Sequence, residues 1–218
     1  ELAQWAGAET FCDQSITSIE SGSEAVRVNT TRGVFTADRV VVTLGTWARE
    51  LLPELSQQLT VLRKPLHWFD AAESQYSRKS GCPSFLFETE AGHYYGFPAS
   101  DWRGLKVARH TGGDLVQDPL TVDRTLDLEE RGDVHRFLKK HLPGVTDTPT
   151  DHTVCMYTMS PDGHFIIDQC EDDPRIVYAA GLSGHGFKFT SALGEVLADM
   201  ATDTKSPFDL SLFQRSRL

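Results

Sequence analysis

The chain has 218 residues, is 39% hydrophobic and 24% charged, and carries a formal net charge of −10. That length suits one large domain or two small ones, and the composition is that of a globular protein able to bury a core. The negative balance argues against a nucleic-acid or anionic-membrane surface, and no stretch approaches the roughly 20 apolar residues that a membrane-spanning helix needs.

The opening "ELAQWAGAETF" has neither the basic nor the apolar region of a signal peptide. It reads as the tail of a helix, as expected for a piece of a longer protein. In "AVRVNTTRGVFTADRVVVTL" (25–44), Val26 and Val28 begin a strand, Arg32-Gly33 supply a turn, and Val34-Phe35 start the return. The apolar β-branched run "RVVVTLG" that follows predicts a strand buried on both faces. Trp47, Leu51 and Leu52 then recur at helical spacing.

From about residue 58 the texture changes. "TVLRKPLHWFDA", "PSFLFE", "GHYYGFPA" and "GLKVARH" are short aromatic-rich segments between turn residues, the pattern of a largely antiparallel sheet. Residues 133–142 place Val134, Phe137, Leu138 and Leu142 on one helical face, and Pro143-Gly144 end the helix. "TVCMYTM" and "HFIID" read as strands, and "RIVYAA" as a buried strand. After a glycine-rich loop comes a helix with Ala192, Leu193, Val196, Leu197 and Met200 on one stripe. The predicted fold is therefore α/β (α+β): residues 1–57 and 161–218 form one α/β domain, with a largely antiparallel or mixed β-sheet domain, 58–160, inserted and flanked by helices.

Alternation along each strand sorts the chemistry-bearing side chains into faces. Lys106 and His110 share one face, about 13 Å apart at the rise of an extended strand. His93, Tyr95 and Phe97 share another, and Cys155 and Tyr157 a third. Each has an ordinary alternative: a solvated lysine, a structural histidine, a core-edge tyrosine, a cysteine acting as a small hydrophobe. Should the three faces coincide, they form a pocket of Lys, His, Tyr and Cys. The loop "GLSGHGFKFTS" (181–191) brings Gly184, His185, Gly186, Phe187 and Lys188 to a helix N-terminus, a setting that favours negative charge. Cys12, Cys82, Cys155 and Cys170 form no C-x-x-C pair, so neither a zinc site nor a disulfide framework is expected, and a cytoplasmic location suits them.

"CMYTMSPDGHFIID" followed by "AAGLSGHGFKFTSALGEVLADM" resembles the C-terminal part of the monomeric sarcosine oxidase and N-methyl-L-tryptophan oxidase family, FAD-dependent amine oxidases of the D-amino acid oxidase-like group. "VVVTLGTWARELLPEL", "GHYYGFP", "GLKVARHTGG" and "KSPFDLSLFQRSR" match in the same order. The resemblance implies FAD joined through a thioether at Cys155, with Gly184, His185, Gly186, Phe187 and Lys188 in the loop against it. It implies Lys106 as the cation that promotes reaction with dioxygen, and Tyr95, His110 and Tyr157 as catalytic candidates lining the substrate cavity. Lys188 would bind the substrate carboxylate. The reaction implied is oxidation of an N-methyl amino acid to the amino acid, formaldehyde and hydrogen peroxide, in a monomeric enzyme. A related D-amino acid or cyclic amino acid oxidase is the alternative. The G-x-G-x-x-G turn that holds the FAD pyrophosphate has no counterpart in these residues. The expectation is therefore a fragment that binds FAD weakly by itself and is inactive alone.

Overall fold

The computed structural model describes residues 1–71, 74–126 and 128–218, and in these the side chains of Ser74, Leu128 and Glu130 are left aside. In chain order the elements are α1 (Leu2–Trp5), β1 (Ile16–Ser21), β2 (Val26–Thr30), β3 (Gly33–Ala37), β4 (Val40–Val42), α2 (Ala48–Leu51) and β5 (Thr60–Ala71). They continue with β6 (Phe85–Thr89), β7 (Gly92–Phe97), β8 (Leu105–Arg109), α3 (Leu128–His141) and β9 (Val145–Met159). The last are β10 (Ile166–Gln169), β11 (Ile176–Ala180) and α4 (Thr190–Ala201). The chain divides into two compact units, one of Glu1–Leu59, Ser160–Leu182 and Gly186–Leu218, the other of Thr60–Met159 with Ser183–His185. No helix among the described residues is long and apolar enough to cross a membrane.

The first unit holds two three-stranded sheets, β1-β2-β3 and β10-β11-β4. In the second of these, β4 runs parallel to β11 and β10 antiparallel to it. The strand buried on both faces is β11, all five of whose residues are buried. Ile176, Tyr178 and Ala180 pack with Val42, Leu52, Leu55 and Leu59 on one side. Val177 and Ala179 pack on the other with Phe165, Ile167 and the α4 residues Val196 and Leu197. The sequence reading expected "RIVYAA" to be buried, as it is, and "RVVVTLG" to be buried on both faces as well. Instead, β4 is a three-residue edge strand with Val41 46% exposed. An apolar run does not say whether one or both of its edges are paired. Strand β1 carries no alternating pattern to announce it, because a bulge between Ile16 and Ser18 breaks the period of two.

The second unit is a five-stranded sheet in the order β6-β7-β8-β5-β9, with every pairing antiparallel. Helix α3 covers one face. Its Val134, Phe137 and Leu138, with Leu142 just beyond it, bury against Phe69, Tyr94, Leu105 and Val107. The Tyr94 and Phe137 rings stack at 4.4 Å. The helix begins at Leu128, five residues before the expected start, because Gly132 and the charged residues around it hide its first turn. Strand β9 is long enough to include Pro149, which sits where the register with β5 slips.

Candidate functional site

The site lies on the sheet face that α3 leaves uncovered, and strand register assembles it. Directly opposed residues of an antiparallel pair project to the same side. Lys106 of β8 lies opposite both Phe97 of β7 and Trp68 of β5, and Ala108 opposite Tyr95. Across β5, Lys64 faces Cys155 and Leu62 faces Tyr157. Since Leu62, Lys64 and Trp68 alternate along one strand, all these side chains share one face. The three faces anticipated separately are therefore one surface of a single sheet. His110 follows β8, and its N–H donates to the His93 carbonyl at 2.7 Å, continuing the ladder.

A polar chain runs across this surface. The Tyr95 and Tyr157 hydroxyls share a hydrogen bond, and the Tyr157 oxygen is 3.3 Å from His110 Nδ1. The Tyr95 and His110 rings meet edge to face at 6.2 Å. Burial, and then the hydrogen bond to Tyr157, push the Tyr95 phenol far above its usual range. Burial also raises Tyr157, opposed by its hydrogen bond with Tyr95. Both therefore remain neutral hydroxyls at physiological pH.

Lys106 is half-buried, with Nζ 5.4 Å from the ring centroids of both Trp68 and Phe97. Burial lowers its pKa, and the Cys155 thiol works against that shift. The two rings steady an ammonium group in place. The Cys155 thiol is free of any disulfide and exposed, with a long 3.7 Å contact to the Met156 carbonyl.

A residue that sequence reasoning passed over is Lys64. It is only 2% exposed, and its ammonium donates to the carbonyls of His110, at 2.6 Å, and Gly112. Nζ also lies 4.9 Å from the Tyr157 ring centroid. The available signal was parity: Lys64 is two and four residues from Leu66 and Trp68, on the side of β5 that also carries the site.

Ser183–His185 groups with this unit because the Ser183 N–H donates to the Thr158 carbonyl at 2.9 Å. Gly184, at φ +78°, lies against the Tyr157 ring, where an added Cβ would fall 2.3 Å from a ring carbon. His185 Nδ1 is 3.1 Å from the Ser183 carbonyl. Gly186, Phe187 and Lys188 belong to the other unit. There, Gly186 is buried, Phe187 is 94% exposed, and Lys188 is exposed with Nζ 5.6 Å from the Phe189 ring centroid.

Residues 1–200 match the family described as FAD dependent oxidoreductase, DAO. The chain belongs to this family of FAD-dependent oxidoreductases. The chain is 37% identical over its whole length to the monomeric sarcosine oxidase of Arthrobacter sp. (strain TE1826), of which it covers 57%. Over 97% of its length it is 42% identical to the N-methyl-L-tryptophan oxidase of Yersinia pestis (strain Pestoides F), of which it covers 56%. It thus spans little more than half the length of these curated relatives. Two solved structures share its fold. NikD, an unusual amino acid oxidase essential for nikkomycin biosynthesis, superposes with a TM-score of 0.82 at 22% identity, covering 98% of this chain and 57% of that one. Glycine oxidase from Geobacillus kaustophilus superposes at 0.77 and 21% identity, covering 99% and 55%.

Proposed function

We propose that this chain is the C-terminal portion of a flavin-dependent oxidase that demethylates an N-methyl amino acid, sarcosine or N-methyl-L-tryptophan. The observation that carries the reading is the single sheet face bearing Tyr95, Lys106, Cys155 and Tyr157, with His110 bonded into it. The two relatives named above support the substrate class. In net terms the secondary amine, dioxygen and water give the primary amino acid, formaldehyde and hydrogen peroxide.

The residues present fit FAD. A free, exposed thiol on the same face as a ring-steadied ammonium suits a planar group tethered at one point and gaining electrons beside a cation. Cys155 would hold it through a thioether, and Gly184, His185, Gly186, Phe187 and Lys188 would form the loop against it. When bound, FAD supplies the acceptor for the two electrons of the N-methyl carbon and returns them to dioxygen. The other roles belong to this chain. Tyr95, Tyr157 and His110 would orient the substrate through their hydrogen-bonded chain. Lys188 would pair with its carboxylate. Lys106 would stabilise the negative charge that dioxygen acquires with its first electron.

On this reading residues 58–160 form the substrate-binding domain, and residues 1–57 and 161–218 contribute to the FAD-binding domain. The relative's designation as monomeric supports a monomer, and the reduced cysteines support the cytoplasm. The test is a substrate panel on the full-length enzyme with peroxide and formaldehyde measured together. Equal amounts of both from sarcosine or N-methyl-L-tryptophan are expected. Peroxide without formaldehyde, from a D-amino or cyclic amino acid, would replace this reading with a related oxidase activity.

A further inference from the structure

We infer that Lys64 is a positioning residue that holds the Tyr157–His110 pair in hydrogen-bonding geometry and so sets substrate affinity. The inference rests on the proposed oxidase reading and deepens it. Three features converge on the one ammonium. Its Nζ donates to the His110 carbonyl at 2.6 Å and to the Gly112 carbonyl, tying down the chain where β8 ends and the ladder stops. It lies 4.9 Å from the Tyr157 ring centroid, so the same group holds the partner across β5. Gly113, at φ +115°, packs against it: a Cβ there would stand 3.4 Å from Nζ and 2.6 Å from the Arg63 carbonyl.

Such a lysine is costly. Burial, with Arg109 adding repulsion, brings its pKa down to about 8. A strand needs no cation at this position, and an apolar residue of similar length would fill the space without desolvating a charge. What an apolar residue cannot do is donate to two carbonyls at once while resting on a phenol ring. Tyr157 reaches His110 over 3.3 Å, a distance at which a small shift of either residue breaks the bond. The clamp therefore acts through His110 and Tyr157 and need not touch the substrate itself.

The test compares Lys64→Met and Lys64→Gln in the full-length oxidase. Loss of one oriented hydrogen bond to substrate in both ground and transition states should raise KM about tenfold for Lys64→Met, with kcat per bound flavin changed by less than about threefold. Lys64→Gln keeps an N–H donor for one carbonyl and should recover most of that loss. A merely structural lysine would lower the yield of flavin-loaded enzyme and leave both KM and kcat per bound flavin unchanged; that pattern overturns the inference. The crystal structure of Lys64→Met decides independently of turnover. A Tyr157 hydroxyl moved beyond hydrogen-bonding reach of His110 Nδ1 supports the clamp, and an unchanged separation refutes it. An inactive wild type would count against the oxidase reading alone and leave this structural comparison in force.

Discussion

Lys106→Met in the full-length oxidase is expected to slow reaction of the reduced enzyme with dioxygen by about 10²–10³-fold, the usual scale for removing one preorganised charge-stabilising group. Reduction by the amino acid should change far less. The distinction follows from what a fixed cation can do. Dioxygen is neutral until it takes an electron, so a nearby ammonium favours the charged state over the ground state and lowers that barrier selectively. The position is prepared for such a task, because half-buried Lys106 sits on the middle strand of the sheet with Nζ held 5.4 Å from both the Trp68 and Phe97 ring centroids. Burial lowers its pKa, which makes charge more expensive there and its retention more telling. Methionine matches the length of the stem and keeps the packing between the rings. Rapid-mixing measurement of the two half-reactions separates the effects. A reoxidation rate within about threefold of wild type would remove Lys106 from this role, since that ratio is well under the energy of one such group.

The second large effect concerns acid stability and comes from the opposite face of the same sheet. His67 is 0% exposed, and neither ring nitrogen has a hydrogen-bond partner among the described residues. It pairs directly with Val107 of β8 and His152 of β9, and its ring lies 6.1 Å from that of Phe69. Burial lowers its pKa to about 4, and His152, Arg131 and Arg63 add repulsion in the same direction. A free histidine titrates near 6.5. Between those two values the unfolded chain binds a proton that the folded chain refuses. Stability due to this group is therefore complete above pH 6.5, falls as the pH drops toward 4, and changes no further below that. The shift corresponds to about 3 kcal/mol. His67→Phe abolishes the titration, so denaturant midpoints should diverge between pH 7.5 and pH 4.5, with wild type losing more. Carboxylates held low by arginines, such as Asp162 by Arg217 and Asp173 by Arg175, lose their stabilisation at still lower pH and do so in both proteins. Equal acid losses in wild type and variant would mean that His67 is hydrated or paired in solution.

The same sheet shows what could and could not be read before the fold was in hand. Alternation within a strand is local, so the pairs Lys106 with His110, Tyr95 with Phe97 and Cys155 with Tyr157 were legible from spacing alone. Their union was not, because it depends on register: Lys106 against Trp68, Cys155 against Lys64, Tyr157 against Leu62. Register is set by long-range packing and by bulges such as those near Phe69, which leave no periodic trace. For Lys64 the sequence offered only its parity with Leu66 and Trp68, which does not say which face of β5 carries the site. In β5 the two positions Arg63 and Lys64 are both charged and both buried, so the run shows no polar face to reveal which of the two cations points into the site. Helical stripes fared better, and Val134, Phe137, Leu138, Val196 and Leu197 are all buried. A helix carries its own periodicity whatever it packs against, whereas the rank of β4 as an edge and β11 as the centre depended on neighbours far along the chain.

The central claim is that the open face of the β5–β9 sheet is where FAD sits, anchored at Cys155. Acid-precipitated full-length enzyme, digested with trypsin and sequenced by mass spectrometry, tests it most directly. Cleavage after Lys140 and Arg175 places Cys155 and Cys170 in one peptide, so fragment ions must separate them. The account predicts a flavin mass on Cys155 and an unmodified Cys170. Flavin released freely by acid, or carried instead by Cys12, Cys82 or Cys170, would contradict it.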